Sequence, residues 1–118
     1  MSRRPPARVE LLRGTLDVLI LRTLLAEQKH GHAIAKHIQR TSEELLQVET
    51  GSLYPALHRL EAKGWIAASW DLSDQGKRAR YYRLTPSGRK QLAAEQSKWK
   101  IFSRAMGLIL NPADQEGQ

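Results

Sequence analysis

The chain contains no cysteine. That excludes a disulfide framework, thiolate catalysis and any cysteine-based metal centre. Aromatic residues are scarce, three Trp, three Tyr and one Phe among 118 residues. No segment reads as the aromatic-rich sheet surface on which single-stranded RNA bases stack. There is no glycine-rich loop to cradle a phosphate, and no Ser/His/Asp set with a legible spacing. No apolar run reaches the ~20 residues of a membrane-spanning helix. The first ten residues, MSRRPPARVE, lack the apolar segment of a secretory signal. Carboxylates are also in deficit. Twelve Asp and Glu face 19 Lys and Arg, for a net charge of +7. Charge of that size and sign bears on partners rather than fold, and points to polyanions such as nucleic acid. These absences argue against an enzyme. His30 and His32 could approach a metal, but no further ligands accompany them, and two exposed helix-cap histidines are the ordinary explanation. We expect no cofactor, no metal and no membrane partner. A cysteine-free composition fits a cytoplasmic protein.

What is present falls into one domain's worth of chain. Residues 1–9 are rich in Arg and Pro and read as a disordered tail, or as a basic arm along DNA phosphates. Residues 10–28 are the most apolar stretch. Thr15 could cap a helix there, with Asp17 in its first turn, where a carboxylate suits the helix dipole. Leu16, Leu19, Ile20 and their neighbours cover more than one face, so surplus apolar surface is expected to meet a second subunit. Residues 31–42 read as a second helix, with Ile34 and Ile38 inward and Lys36 and Arg40 outward.

Residues 50–64, TGSLYPALHRLEAKG, are the centre of the chain's organisation. Thr50 and Ser52 are capping types, Pro55 requires the helix to begin shortly before it, and Gly64 supplies the stop. Leu53, Leu57 and Leu60 recur at i, i+4 and i+7, so one stripe faces a core. The other side carries Ser52, Pro55, His58, Arg59, Ala62 and Lys63, with Tyr54 on its flank. A helix with such a face is either simply solvated or shaped for a DNA major groove, small at its start and then basic. The residues that follow favour the second reading. WIAASWD and RYYRLT read as two strands joined by a basic turn containing Gly76. From Gly76 to Lys90 there are six basic residues and no acidic ones. Thr85-Pro86 then opens a last helix. In it Leu92, Glu95, Trp99, Phe102, Met106 and Ile109 follow one another at three- and four-residue steps, an a/d seam apart from Glu95. That seam is too long for the remaining core. It should pair with its symmetry mate or wrap the partner's first helix. Asn111-Pro112 ends it.

The segments GSLYPALHRLEAKGWI (residues 51–66) and RYYRLTPSGRKQL (residues 80–92) resemble the PadR family of winged helix-turn-helix transcriptional regulators. The likeness runs from about Leu11 to Leu110, and HGHAIAKHI is similar to the family's second helix. His32 departs from the Tyr the family often has after the glycine. The short single C-terminal helix looks like the subfamily without a longer helical C-terminal domain.

The expected fold is therefore mainly α with a small β-hairpin (α+β), a winged helix-turn-helix plus a C-terminal dimerisation helix. The expected divisions are an arm at 1–9, the winged domain at 10–85, the dimerisation helix at 86–110 and a tail at 111–118. The resemblance implies a homodimeric regulator, usually a repressor, on a palindromic operator in double-stranded DNA. The alternative is a winged-helix protein-interaction module that does not read DNA. The expected DNA-binding residues are Lys36, Thr50, Ser52, Tyr54, Pro55, His58, Arg59, Lys63, Lys77, Arg78 and Arg80. Among them, His58 and Arg59 are assigned to base edges or nearby phosphates, Ser52 and Tyr54 to phosphates, and Lys77, Arg78 and Arg80 to the backbone or flanking minor groove. The expected dimer interface comprises Leu16, Leu19, Ile20, Leu92, Trp99, Phe102, Met106 and Ile109. Some family members stack flat aromatic molecules on a Trp of the last helix, which makes Trp99 the candidate for a small aromatic effector. Interface filling is the competing role for that indole.

Overall fold

The computed structural model describes residues 13–111. The expected basic arm at 1–9, the expected start of the first helix at 10–12 and the tail beyond Asn111 lie outside the described residues. The elements run α1 (Arg13–Thr23), β1 (Lys29–His30), α2 (Gly31–Thr41), α3 (Thr50–Ala62), β2 (Ile66–Leu72), β3 (Arg78–Leu84) and α4 (Pro86–Leu110). The three antiparallel strands lie in the order β1-β3-β2.

α1 is shorter than its apolar composition predicts, ending at Thr23 and giving way to turns before β1. Thr15 is its third described residue and not its cap. The Thr23 hydroxyl, buried, donates to the Leu19 carbonyl at 2.8 Å, which satisfies it locally. Leu16, Ile20 and Leu21 of α1, with Leu24 just beyond its end, meet Ile34 and Ile38 of α2, the α3 stripe of Leu53, Ala56, Leu57 and Leu60, Ile66 and Tyr82 of the sheet, and Leu92 of α4. α1 packs against α2, α3 and α4 of its own chain, so its all-round apolarity is covered internally.

That corrects part of the expected dimer interface. Leu16, Ile20 and Leu92 are 3%, 0% and 2% exposed, and no partner can reach them. Leu19 is half-buried and packed on the same core. The remainder of the seam behaves differently. Trp99, Phe102, Met106 and Ile109 are all exposed, with Ile101, Leu108 and Leu110 beside them.

His30 caps α2, its Nδ1 accepting from the Ala33 amide at 3.2 Å. Thr85 caps α4, its hydroxyl accepting from the Gly88 amide at 3.0 Å, with Pro86 at the first helical position. α3 differs from expectation at its start. Glu49 occupies the cap position without a side-chain bond, and Thr50 and Ser52 already lie in the first turn. Pro55 is the sixth helical residue and so sits inside the helix, unable to donate to the Gly51 carbonyl four residues back. Gly64, at φ +76°, turns the chain from α3 into β2.

Candidate nucleic-acid interface

Two ends of the chain's middle third meet at one surface. The first is the outer face of α3. With Leu53, Ala56, Leu57 and Leu60 buried, the 100° step per residue leaves Gly51, Pro55, His58 and Ala62 pointing to solvent, and all four are exposed or have no side chain to bury. Tyr54 lies on one flank of that face, and Ser52 on the other. The second is the hairpin. In the β2–β3 register Trp70 pairs with Arg80 and Leu72 with Arg78, which puts these four on one side of the ribbon. The turn at 73–77 is closed by the Ser73 amide donating to the Lys77 carbonyl at 2.7 Å and the Gly76 amide donating to the Ser73 carbonyl at 2.8 Å. Gly76 takes φ +79°, which its lack of a Cβ permits.

Between the start of α3 and the hairpin lies an open cleft of about 410 Å³. Tyr54 stands on one wall, and Trp70, Lys77 and Arg78 on the other, with Tyr82 at the base. The Arg78 guanidinium lies 5.0 Å from the centre of the Trp70 ring. A cation so placed is held against the indole yet keeps its donors outward. His30 and His32 border the same cleft, their rings 6.4 Å apart and nearly parallel. No cluster of three or more metal-ligating side chains occurs among the described residues. Burial pushes the Tyr82 phenol above its ordinary range, opposed by the nearby Arg80 charge.

The expected DNA-binding residues divide. Thr50, Ser52, Tyr54, Pro55 and His58 are exposed on α3, Lys36 is exposed on α2, and Lys77 and Arg78 are exposed at the wing. Among the described residues, Lys36, Lys77 and Arg78 form no side-chain ion pair. Three assignments need correction. Arg59 is turned to the α1 side, where its Nη2 donates to Asp17 Oδ1 at 2.7 Å. Asp17 therefore answers a guanidinium rather than the helix dipole. Arg80 donates from Nη2 to Glu61 Oε2 at 2.7 Å, and its Nε is buried with no acceptor among the described residues. Lys63 folds back with its ammonium 4.7 Å from the Trp65 ring centre, beside Asp17 and Glu95 at the far end of α3.

Sequence reasoning missed Trp70 as part of this surface, and Asp17 and Glu61 as the carboxylates that hold Arg59 and Arg80. A lone carboxylate on the most apolar helix was the available signal for Asp17, because a charge in such company needs a partner.

A helix-turn-helix whose second helix stands beside a β-wing with a basic tip defines the class of winged-helix transcriptional regulators. Residues 20–94 match the model of the transcriptional regulator PadR-like family, and the chain belongs to that family. Its members are DNA-binding regulators and not enzymes. Across 95 residues the chain is 33% identical to the transcriptional regulator Rv3488 of Mycobacterium tuberculosis, covering 80% of this chain and 85% of that one. A transcriptional regulator from Clostridium thermocellum superposes with a TM-score of 0.76 at 30% identity, over 84% of this chain and 96% of that one. A PadR family transcription regulator from hypervirulent Clostridium difficile gives 0.71 at 31% identity, over 81% and 98% respectively. No helix among the described residues is long and apolar enough to cross a membrane.

Proposed function

We propose that two copies of this chain bind a palindromic operator as a homodimer and repress transcription from it. The observation that carries this reading is the small-featured, exposed outer face of α3 together with a cationic wing that meets Tyr54, on the flank of that face, across one open cleft. A helix bearing Gly51, Pro55 and Ala62 outward can sit deep in a major groove, and His58 is the side chain there able to donate to a base edge. Thr50, Ser52 and Tyr54 offer hydroxyls to phosphates at the helix start. Lys77 and Arg78 supply sequence-independent backbone contacts at the wing, and Lys36 a further one from α2.

The exposed seam of α4 supports dimerisation. Trp99, Phe102, Met106 and Ile109 repeat along more than two turns, with the Trp99 and Phe102 rings edge-to-face at 5.6 Å. A solvent-facing stripe of that size is covered in a working protein. Two-fold pairing through α4 sets two α3 helices for successive major grooves, about 34 Å apart. Trp99 at this seam is the place for a small aromatic effector, which acts only if it favours one spacing of the reading helices over another. The complex belongs in the cytoplasm, on the nucleoid.

The test is selection from random duplexes, followed by anisotropy at several salt concentrations on the selected and a scrambled sequence. A selected palindrome bound by two chains supports the reading. Recovery of no sequence preference, with binding that merely tracks salt, rejects it.

A further inference from the structure

We propose that Asp17 and Arg80 are positioning residues for DNA reading, gripping opposite flanks of α3 so that the helix keeps a single rotation about its own axis. The proposal rests on the DNA-reading function above.

Arg59 and Glu61 are two residues apart, so they leave α3 roughly 200° from each other. Each is held by a different neighbour. Arg59 Nη2 meets Asp17 Oδ1 of α1 at 2.7 Å, and Glu61 Oε2 accepts from Arg80 Nη2 of β3 at 2.7 Å. The apolar stripe between them fixes which side of α3 faces the core. Burial of that kind is non-directional, and aliphatic rows tolerate a small roll. Charge-assisted hydrogen bonds are directional and tolerate less. A roll of about 20° moves a side chain at ~5 Å from the axis by roughly 2 Å, which is enough to open one of the two bonds. Rolling either way strains a pair.

The outer face of α3 explains why this angle matters. Gly51, Pro55 and Ala62 carry no long side chain that could adjust its reach. A helix that reads through one imidazole of short reach, His58, set among such groups must be placed correctly as a body, because no long flexible arm compensates for a wrong angle. The two pairs are also poorly suited to a mainly stabilising role. Their side chains are 19% to 41% exposed, so each pair is part-hydrated and adds less to stability than one sealed from water. The Arg80 guanidinium is further restrained by the Trp70 ring, 6.0 Å away, so the wing takes its bearing from the same contact.

The experiment uses the duplex selected by the full wild-type chain and compares the affinity ratio between it and a scrambled duplex. The ratio is the readout because added or removed charge changes affinity for all DNA alike. Asp17→Asn and Glu61→Gln keep shape while removing the charge. Each is expected to lower the ratio by about tenfold, mid-range for coupling between contacting groups, with thermal midpoints nearly unchanged. Asp17→Arg combined with Arg59→Asp restores the pair in reverse and should recover most of the ratio. If Arg59 instead touched DNA, that double variant would be as defective as Arg59→Ala, and the positioning role would be overturned. It is equally overturned if Asp17→Asn and Glu61→Gln leave the ratio at its wild-type value. A wild-type chain that selects no duplex removes the underlying function, and the proposal with it, before any variant is made.

Discussion

The phenol of Tyr54 fills the space a side chain on Gly31 would need. A Cβ on Gly31 would stand 2.8 Å from the Tyr54 hydroxyl oxygen and 2.9 Å from the ring. The start of α3 thus leans on the first residue of α2, and the helix pair is set by the missing side chain. Gly31→Ala should destabilise the protein by about 1–3 kcal/mol from overpacking. Better helix propensity returns at most ~1 kcal/mol. Urea unfolding of Gly31→Ala, Tyr54→Ala and the double variant checks this. The double should be more stable than the sum of the single losses allows. Strict additivity would break the link between the two residues.

Lys77 at the wing tip is exposed and has no ion-pair partner among the described residues. Lys77→Ala should weaken selected and scrambled duplexes alike and lower the slope of log affinity against log salt by about one unit. Fluorescence anisotropy across a salt series measures both. A loss confined to the selected duplex would mean that Lys77 reads sequence.

Met106 lies outside the core of its own chain and on the exposed seam of α4. A carboxylate there is harmless to the monomer's fold but is desolvated in a dimer. Met106→Glu is expected to weaken self-association by at least about 2 kcal/mol, roughly thirtyfold in dissociation constant. Sedimentation velocity should show two subunits for the wild type and a single one for the variant, with an unchanged circular dichroism spectrum. A variant that still sediments as two subunits would move the interface away from this stripe.

Tyr82 gives an alkaline dependence with a definite sign. Burial raises its phenol pKa in the fold, so the native state holds this proton more tightly than the unfolded chain does. The contribution to stability is complete below the unfolded value, ~10, and is lost as pH climbs through the raised folded value. Thermal midpoints above pH 10 should therefore fall less steeply in Tyr82→Phe than in the wild type. The variant should also lack a late step in the alkaline absorbance titration near 295 nm. Parallel midpoint curves would contradict the assignment.

Much of this architecture is legible in the sequence, for identifiable reasons. Leu53, Leu57 and Leu60 announce a buried stripe because helical geometry repeats locally, and Thr85-Pro86 announces α4 because capping chemistry is local too. What failed was what depends on distant neighbours. Leu16, Ile20 and Leu92 looked like spare surface, but counting apolar faces cannot tell whether the cover comes from the same chain. Arg59 finds Asp17 across 42 residues and Arg80 finds Glu61 across 19, and no periodicity encodes such meetings. β1 is two residues long, too short for any alternation, and exists because β3 has an edge to offer.

One junction ties the far ends of the molecule together. The Thr85 hydroxyl donates to the Gly64 carbonyl at 2.7 Å, and the Thr85 amide donates to the Trp65 carbonyl at 3.1 Å. Gly88 lies so close to the Trp65 carbonyl that a Cβ there would collide with it. The exit of α3 and the root of α4 are in this way riveted at a shared point. Because that point is shared, the direction in which α4 leaves the domain is set by where α3 ends.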